Sequence, residues 1–480
     1  MKKKLGILAI AALLSTGAYA ASIDHIQTYT PEYLGNQSQN GMINKSSVYY
    51  NPAGLVHLDN GTYFHIGAQL AVGHEKMDYN GKEYKADLLQ YIPTLALYSV
   101  RDERTIFWTF GGLGGGGDLE YKDGVAGTAV VPDILNGIVN KLKPALSLPG
   151  LNLPPQLGTA IGNLKFTDNG SSAEGKSLYG QTTIGRAWKV NDKLSMSIAG
   201  RAVLGMKKLK GDINVKSSNP NLIKDLHANM DSDRTAWGLG AQIGLNYKAT
   251  DRLNLAMRYD SRVKLNFKAN GNEEKAKLQT TLFEKPLAEI GFSGFYPEYA
   301  DGNKTRRDLP AILALGASYK VTDRWTTAIS GNYYFNKDAK MDRVAGTITI
   351  PNPLKPGENI TSLQGLEPEY DNGWEIALGN EYKLNEKWTL LGSVNYAHTG
   401  AKVSSYDDIE FALNSVTVGA GLKYAPTDCD EWVFTVCHFF YDQETGHYGD
   451  KYPQDKFPSV KNPEYDKNIT AFGLAYTKKF

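Results

Sequence analysis

The chain has few cysteines and, after residue 20, no long apolar segment. Cys429 and Cys437 are the two cysteines among its 480 residues. An extended chain would separate them by roughly 26 Å, at about 3.3 Å per residue. That separation is too large for a disulfide bond, so we expect free thiols. No run of about twenty apolar residues follows position 20, which excludes helical membrane spans.

The sequence also lacks a charge excess and the spacings typical of metal or catalytic sites. A formal net charge of +1 provides no basic face, so we expect no nucleic-acid partner. The eight histidines are scattered, and neither a pair of metal-ligating histidines nor a Gly-x-Ser-x-Gly elbow occurs. We therefore expect no metal, no cofactor and no enzymatic activity. A catalytic site assembled from distant residues remains the alternative.

Residues 1–20 have the composition of a secretory signal peptide. Lysines at positions 2–4 form a basic start, residues 5–14 an apolar stretch, and Ala18-Tyr19-Ala20 a small-residue cleavage site. The apolar stretch is too short to span a bilayer as a helix. We expect cleavage after Ala20 and a mature protein outside the cytoplasm.

The mature sequence alternates between apolar and polar residues, as β-strands do. Trp237, Leu239 and Ile243 lie on one face of such a segment, and Gly238 and Gln242 on the other. The mean hydropathy of −0.38 suits a soluble protein. It also suits a transmembrane barrel, because lipid-facing apolar residues alternate there with polar lumenal ones. The 29 tyrosines and 49 glycines favour the barrel.

A short polar turn recurs along the chain and predicts a series of β-hairpins. Tyrosines 247, 319, 382 and 424 precede these turns and tryptophans 325 and 388 follow them, as an interfacial girdle requires. Long connections must separate the turns, which predicts an all-β, antiparallel transmembrane barrel of roughly fourteen strands over residues 57–480. The turns lie at 189–194, 248–253, 320–325 and 383–388, with weaker copies at 99–104 and 425–430.

The segment at 46–55, Ser-Ser-Val-Tyr-Tyr-Asn-Pro-Ala-Gly-Leu, resembles the N-terminal hatch of the FadL family of outer-membrane transporters of hydrophobic compounds. The last strand, ending at Phe480, resembles the family's assembly signal, although Lys478 stands where an aromatic residue is usual. The resemblance implies that residues 21–56 form a hatch that plugs the barrel; the alternative is a disordered tail. The predicted hatch residues are Tyr49, Tyr50, Asn51, Pro52, Ala53 and Gly54.

A glycine run interrupts the third predicted strand. Glycine weakens strands and permits bends, and the resemblance implies an inward kink here that opens the wall toward the membrane. A flexible strand end is the alternative. A phosphate-binding loop is disfavoured, because no Gly-Lys-Ser/Thr follows. The kink residues are Gly111, Gly112, Gly114, Gly115, Gly116 and Gly117.

Residues 130–164 form the most apolar of the predicted loops, with partly helical spacing. Exposed loops seldom carry so much apolar surface without a partner, and the resemblance implies a groove through which ligands enter. A lid that packs on itself is the alternative. The candidate substrate-binding residues are Leu135, Ile138, Leu142, Leu146, Leu148, Leu151, Leu153, Leu157 and Ile161.

Three arginines are predicted to point into the lumen. Arg258 and Arg262 alternate with Met257, Tyr259 and Val263, and Arg201 belongs to the neighbouring hairpin. Cations beside an apolar pocket could bind a carboxylate ligand. A structural charge network, with Asp260 as a partner, is the alternative.

The resemblance implies passive import of hydrophobic molecules, either long-chain fatty acids or aromatic hydrocarbons, with lateral release into the membrane. The expected partners are the outer-membrane bilayer, the hydrophobic ligand and the barrel-assembly machinery, and nothing requires more than a monomer. A water-filled porin would lack the hatch and the apolar loop. A surface adhesin or receptor would not need the hatch for its function.

Overall fold

The computed structural model describes residues 21–22, 27–146, 155–280, 286–340, 347–352, 355, 357–364, 369–406, 408–448, 452 and 457–480. Within these ranges, fourteen antiparallel strands form one closed barrel, as the sequence predicted. None of the described helices is long and apolar enough to cross a membrane. The predicted signal peptide, residues 1–20, lies outside the described residues.

The strands follow one another around the barrel in chain order. The first and last strands close it, with paired residues from Tyr63↔Lys479 to Asp78↔Glu464. The first seven strands are β1 (Gly61–Tyr79), β2 (Lys82–Arg101), β3 (Arg104–Gly112, resumed at Asp118–Tyr121), β4 (Ser172–Lys189), β5 (Leu194–Ser217), β6 (Leu226–Lys248) and β7 (Leu253–Asp260, resumed at Asn266–Glu274). The last seven are β8 (Lys304–Arg306, resumed at Ile312–Lys320), β9 (Trp325–Tyr334), β10 (Gly373–Lys383), β11 (Trp388–His398), β12 (Ser415–Thr427), β13 (Asp430–Tyr441) and β14 (Glu464–Lys479).

Shorter strands lie outside this set. Ala21–Ser22 pairs with Gly115–Gly116, inside the interruption of β3. Phe166–Asp168 pairs with β5, and Glu444–Thr445 pairs with β14. Two small hairpins lie in the long loops: Ala276–Leu278 pairs with Ala288–Ile290, and Thr347–Pro351 pairs with Asn359–Gln364.

All six predicted turns connect consecutive strands, so these predictions are confirmed. In the turn between β4 and β5, the Asn191 carboxamide oxygen accepts the backbone N–H groups of Lys193 and Leu194, at 3.0 and 2.9 Å. Thr322 and Asn385 do the same in their own turns. Asn and Thr recur here because their side chains can replace backbone partners in a tight turn.

The barrel wall has one apolar outer face and one mixed inner face. On β6, Trp237 is 71% exposed and Leu239 66%, whereas Gly238 and Gln242 are buried. At the short-turn end, aromatic residues face one another across strands, as in Trp325↔Tyr382 and Trp388↔Tyr424. The predicted alternation and the predicted aromatic belt therefore hold.

One predicted side-chain direction is wrong. Arg258 and Asp260 are buried, but Arg262 is exposed. The register of β7 against β6 changes by one residue, from Gln242↔Asp260 to Thr235↔Lys268. A bulge of one residue moves every later side chain to the opposite face, so Arg262 does not join the lumenal arginines.

Helices occupy the lumen and the long-loop end. The hatch contains α1 (Pro31–Gly35), α2 (Ser47–Tyr50) and a 3-10 helix (Pro52–His57), nearly all of them buried. The loop between β3 and β4 contains α3 (Ala126–Leu146) and α4 (Pro155–Gly162), which we call the cap. The remaining short helices are α5 (Phe292–Phe295) and 3-10 turns at Pro297–Tyr299, Asn336–Asp338 and Val403–Ser405. Both cysteines are unpaired as expected, Cys429 exposed and Cys437 buried.

Candidate functional site

The hatch begins with two short helices whose ends the sequence determines. Thr30 caps α1, its hydroxyl oxygen accepting the backbone N–H of Tyr33 at 3.2 Å, and Pro31 fits the first helical position. Asn51 caps the 3-10 helix by accepting the Gly54 N–H at 3.2 Å. The Asn51 amide also donates to Asn246 Oδ1 on β6 at 2.7 Å. The same residue therefore forms the turn and attaches it to the wall.

Arg258 is the main cation holding the hatch. Its Nη1 donates to the carbonyl oxygens of Tyr49 and Tyr50 at 2.9 and 3.0 Å. Its Nη2 donates to Gln27 Oε1 at 3.2 Å, and its Nε to Asp260 Oδ2 at 3.2 Å. One guanidinium thus joins three hatch residues to one wall carboxylate.

Arg201 belongs to the same buried network. Its Nε donates to Gln181 Oε1 at 2.8 Å, and its Nη1 lies 3.9 Å from Asp260 Oδ1. Gln242 donates to the same Asp260 oxygen at 2.8 Å. The contacts of Arg201 and Arg258 favour the structural network over direct ligand binding by these two residues.

The hatch backbone lies directly on the wall at two glycines. A Cβ atom on Gly316 would be 2.2 Å from the Gly41 nitrogen, and one on Gly419 would be 2.1 Å from the Leu34 carbonyl oxygen. Side chains at these positions would push the hatch inward, so the close fit depends on glycine.

The hatch surface that faces β1 is less well satisfied. Among the described residues, the hatch atoms Glu32 Oε2 and Tyr49 Oη have no hydrogen-bond partner, nor do His65 Nε2 and Gln69 Oε1 on β1. Each buried polar group without a partner costs about 1–3 kcal/mol. Other contacts do hold this side, since Gln69 Nε2 donates to the Tyr29 carbonyl oxygen at 2.6 Å and His65 Nδ1 lies 3.6 Å from Glu32 Oε1.

The glycine run lies at a break in the wall. Ladder pairing between β2 and β3 ends at Thr94↔Gly111. On β4, Gly180 is paired with Gly112 and Lys176 with Asp118. From the first pair to the second, β3 advances six residues and β4 only four, so β3 has two extra residues. Gly114 has φ +97°, a left-handed conformation that favours glycine. The strand leaves the wall between these points and then rejoins it.

The N-terminal segment occupies this break. Ala21 pairs with Gly116 and Ser22 with Gly115. A Cβ atom on Gly111 would lie 2.9 Å from Cγ2 of Thr28, in the hatch. The same segment of chain therefore plugs the lumen and contacts the interrupted strand.

The apolar face of the cap turns inward, toward the mouth of the barrel. Leu135 and Ile138 are 2% and 5% exposed in a cluster that includes Met77 and Tyr121, and Leu142, Leu157 and Ile161 pack against it. Leu146 ends α3; Leu148, Leu151 and Leu153 lie outside the described residues. Polar contacts anchor the rim of the cap, where Asp133 accepts the Tyr79 hydroxyl at 2.7 Å.

A second cationic cluster lies between the cap and the break in β3. Lys207 Nζ donates to Glu410 Oε1 at 2.7 Å, and Arg307 Nη2 donates to the same oxygen at 3.0 Å. Arg234 lies over the Tyr299 ring, 4.8 Å from its centroid. Glu410 also lines a small cleft with Gly117, at the end of the glycine run. Three cations therefore surround one carboxylate.

The charges of this cluster are not balanced. Burial would raise the pKa of Glu410, but the adjacent Arg307 and Lys207 lower that pKa to about 2. The Nε atoms of Arg234 and Arg307 have no hydrogen-bond partner within the described ranges. The cluster thus has more positive than negative charge, and two of its buried N–H groups are without an acceptor, while Arg234 Nη2 donates to the Thr305 hydroxyl.

Sequence reasoning missed this cluster. Lys207 lies on the lumenal face of β5 together with Arg201 and Val203, so the alternation that identified Arg201 could also have identified Lys207. Glu410 lies in a long loop with no periodic pattern, and no sequence signal places it there. Within the described part of the chain, no three His, Cys, Asp or Glu residues come together as a metal site would require.

A family model described as outer membrane protein transport protein (OMPP1/FadL/TodX) matches residues 11–428. The chain belongs to this family. The protein is accordingly an outer-membrane transport protein. In such barrels the short turns lie at the periplasmic end and the long loops at the extracellular end, which places the cap outside the cell.

Individual relatives are distant. Outer membrane protein P1 of Haemophilus influenzae is 24% identical over 200 residues, which are 40% of this chain. The match spans 36% of that relative's length.

Solved structures match over nearly the whole chain. A Pseudomonas aeruginosa FadL homologue has a TM-score of 0.61 at 15% identity, covering 95% of this chain and 99% of that one. The toluene transporter TodX of P. putida has a TM-score of 0.58 at 15% identity, with the same coverage of both chains. The Ralstonia pickettii toluene transporter TbuX has a TM-score of 0.55 at 14% identity, again covering 95% of this chain and 99% of that one. At these identities the likeness establishes the fold alone.

Proposed function

We propose that this protein passively imports hydrophobic small molecules, long-chain fatty acids in particular, and releases them sideways into the outer membrane. The family description supports outer-membrane transport. The structural neighbours include toluene transporters and a FadL homologue, which supports a hydrophobic substrate. Residues 1–20 would direct export and be cleaved, and the barrel-assembly machinery would insert the monomer.

The observation that carries this proposal is the break in β3 occupied by the hatch. An open porin needs a clear lumen, whereas here hatch residues such as Leu34 and Tyr50 are buried inside the barrel. Because Ala21–Ser22 pairs with Gly115–Gly116, any displacement of the hatch also changes the wall at that point. A hydrophobic ligand released there enters lipid without crossing the periplasm.

The cap would supply the first binding step. Leu135, Ile138, Leu142, Leu157 and Ile161 offer apolar surface at the extracellular mouth. Burying a methylene group contributes roughly 0.8 kcal/mol, so long chains gain most. The ligand would gain free energy as its apolar surface is buried first by the cap and then by the membrane, so transport would need no energy source.

The cluster of Lys207, Arg234 and Arg307 supports a ligand with a carboxylate. It lies beside Gly117, close to the proposed exit. A fatty acid could place its tail among the cap residues and its headgroup on Arg234, which is not paired with Glu410. An aromatic hydrocarbon has no charged group that would use this cluster.

Movement of the hatch would begin on the side that faces β1. The unpartnered atoms of Glu32, Tyr49, His65 and Gln69 make the β1 face less costly to separate than the Arg258 face. A hatch that turned about its Arg258 attachment could leave the break in β3 without leaving the barrel.

The substrate class is tested by comparing oleate and toluene binding to the purified protein and to its Arg234→Met variant. Loss of one charged contact should weaken oleate binding about tenfold and leave toluene binding unchanged. Lys210→Met is the matched control, since Lys210 is exposed on the same strand as Lys207. Equal oleate affinity in all three proteins would contradict the carboxylate site. Failure to bind either compound would contradict the transport proposal itself.

A further inference from the structure

Three arginines face the membrane at the periplasmic rim of the barrel. We call Arg101, Arg104 and Arg186 the arginine patch. Arg101 and Arg104 are opposite each other on the last rung of β2 and β3. Arg104 is opposite Trp188 on β4, and Arg186 lies two residues before Trp188 on the same face. Directly opposed and diagonal positions are about 5 and 7–8 Å apart, so the three side chains form one group.

The patch lies on the outer face of the wall. Its neighbours on that face are Ile106, Ile184 and Ile198, which are 70%, 62% and 50% exposed. Arg186 is directly opposite two of them, Ile106 of β3 and Ile198 of β5. The Arg186 guanidinium lies 5.0 Å from the centre of the Trp188 ring. Side chains at this level contact the boundary between lipid chains and headgroups.

The charges of the patch have no protein counterpart. Across the described ranges, no ion pair or hydrogen bond joins the three guanidinium groups to another residue. The two acidic residues of the turn between Arg101 and Arg104 are engaged elsewhere: Glu103 pairs with Lys189 at 2.6 Å, and Asp102 accepts from Asn60 at 3.5 Å.

Another outward-facing cation on the same rim, Lys478, has a carboxylate partner. Lys478 Nζ lies 2.8 Å from Asp430 Oδ1, which also accepts the Tyr476 hydroxyl at 2.6 Å. That site is neutral without a ligand. Unlike the Lys478 site, the arginine patch has uncompensated charge, and it groups three guanidinium groups on adjacent strands.

The chain maintains this arrangement at a cost. Like charges on opposite strands are destabilising. The turn that brings Arg101 and Arg104 together is a two-residue hairpin turn, in which Asp102 and Glu103 take the positive φ values, +46° and +68°, that such turns require.

We propose that the arginine patch binds the phosphate of an anionic phospholipid in the periplasmic leaflet. A guanidinium presents paired N–H donors that match phosphate oxygens, and an adjacent indole suits the headgroup level. The patch lies at the start of β3, the strand that breaks at Gly112, so a bound lipid would hold the wall on the periplasmic side of the break.

The test uses the full-length protein in nanodiscs of phosphatidylethanolamine with a minor fraction of phosphatidylglycerol, and native mass spectrometry to count retained lipids. The unmodified protein should retain phosphatidylglycerol preferentially. Replacing the three arginines by glutamine should weaken that retention about a hundredfold. Replacing them by lysine should lose part of it, because charge remains while the paired donors are gone.

The matched control removes three other cations from periplasmic turns, in the variant K193Q/R252Q/R324Q. This control should retain phosphatidylglycerol like the unmodified protein, and heat-modified migration on gels confirms that each barrel has assembled. Equal loss in both triple glutamine variants, or no preference for phosphatidylglycerol in the unmodified protein, would overturn the proposal. Displacement of phosphatidylglycerol by oleate would overturn it too, because the patch would then bind released carboxylates.

Discussion

The hatch and the cap both close the barrel, but different forces hold them. Beside a buried apolar cluster that includes Val48 and Leu55, the hatch is held by directional hydrogen bonds, as from Arg258 to the carbonyl oxygens of Tyr49 and Tyr50. The cap is held by the burial of apolar side chains such as Leu135 and Ile138. Hydrogen bonds fix one geometry, whereas apolar contacts tolerate rearrangement as long as area stays buried.

This difference assigns the two closures different roles. A hydrophobic ligand can replace cap contacts with contacts of the same kind, so the cap can open toward the ligand at little cost. The same ligand offers nothing to the hydrogen-bonded side of the hatch. Under the proposed function, the hatch would be the selective barrier and the cap the surface that collects ligand.

The largest effect is expected at the hatch. Arg258→Met removes the cation but leaves Asp260 and two hatch carbonyl groups buried, which should destabilise the hatch by about 3–5 kcal/mol. The variant should conduct ions steadily in a planar bilayer while its barrel still assembles. Arg262→Met, on the exposed side of the β7 bulge, should remain closed. A closed R258M channel would contradict the assignment of Arg258 as the main attachment.

A smaller effect is expected in the cap. Leu135→Ala should destabilise the cap by about 2–5 kcal/mol through the cavity it leaves. Uptake of long-chain substrates should slow, and planar-bilayer recordings should show no leak because the hatch is intact. Asn140→Ala, exposed on the same helix, provides the control. Ion leakage through L135A would show that cap and hatch are not independent closures.

The break in β3 is tested by a matched pair of glycines. Gly114 and Gly170 both have positive φ, +97° and +86°, so valine at either should cost about 1–2 kcal/mol. Gly114→Val should reduce uptake in whole cells because it reshapes the exit. Gly170→Val, in a loop with open space around it, should not. Equal uptake by the two variants would remove the break from the pathway.

A pH dependence of stability is expected at Glu410. Its pKa falls from 4.5 in the unfolded chain to about 2 in the folded protein, so its contribution to stability is complete above about pH 4.5. That contribution should decline as the pH falls toward about 2. Thermal unfolding of Glu410→Gln should start from a lower midpoint and lose this pH dependence. An unchanged pH profile in E410Q would show that the pair with Lys207 and Arg307 does not stabilise the protein.

The sequence predicts those parts of the fold that depend on local patterns. Asn191 and Asn385 mark turns through hydrogen bonds within a few residues, and Trp237 and Leu239 mark the lipid face by alternation alone. The hatch motif around Asn51 was recognised by resemblance, and the structure shows its chemistry in the bond to Asn246.

The parts that failed depend on contacts far apart in the chain. One inserted residue near Ser261 moves Arg262 out of the lumen, and alternation contains no sign of that bulge. Glu410 meets Lys207 across about two hundred residues of sequence, so only the closed barrel shows the second cationic cluster. The inward direction of the cap likewise depends on barrel residues such as Met77 and Tyr121.

The most direct test of the account is a tether between the hatch and the break in β3. Ser22 and Gly115 are directly paired, so cysteines there lie within disulfide reach, in a background with Cys429 and Cys437 replaced. Uptake of labelled oleate should stop when the tether is oxidised and return when it is reduced, while single-cysteine variants should transport throughout. Full uptake by the completely oxidised protein would show that ligands leave by another route, and the lateral-release account would be wrong.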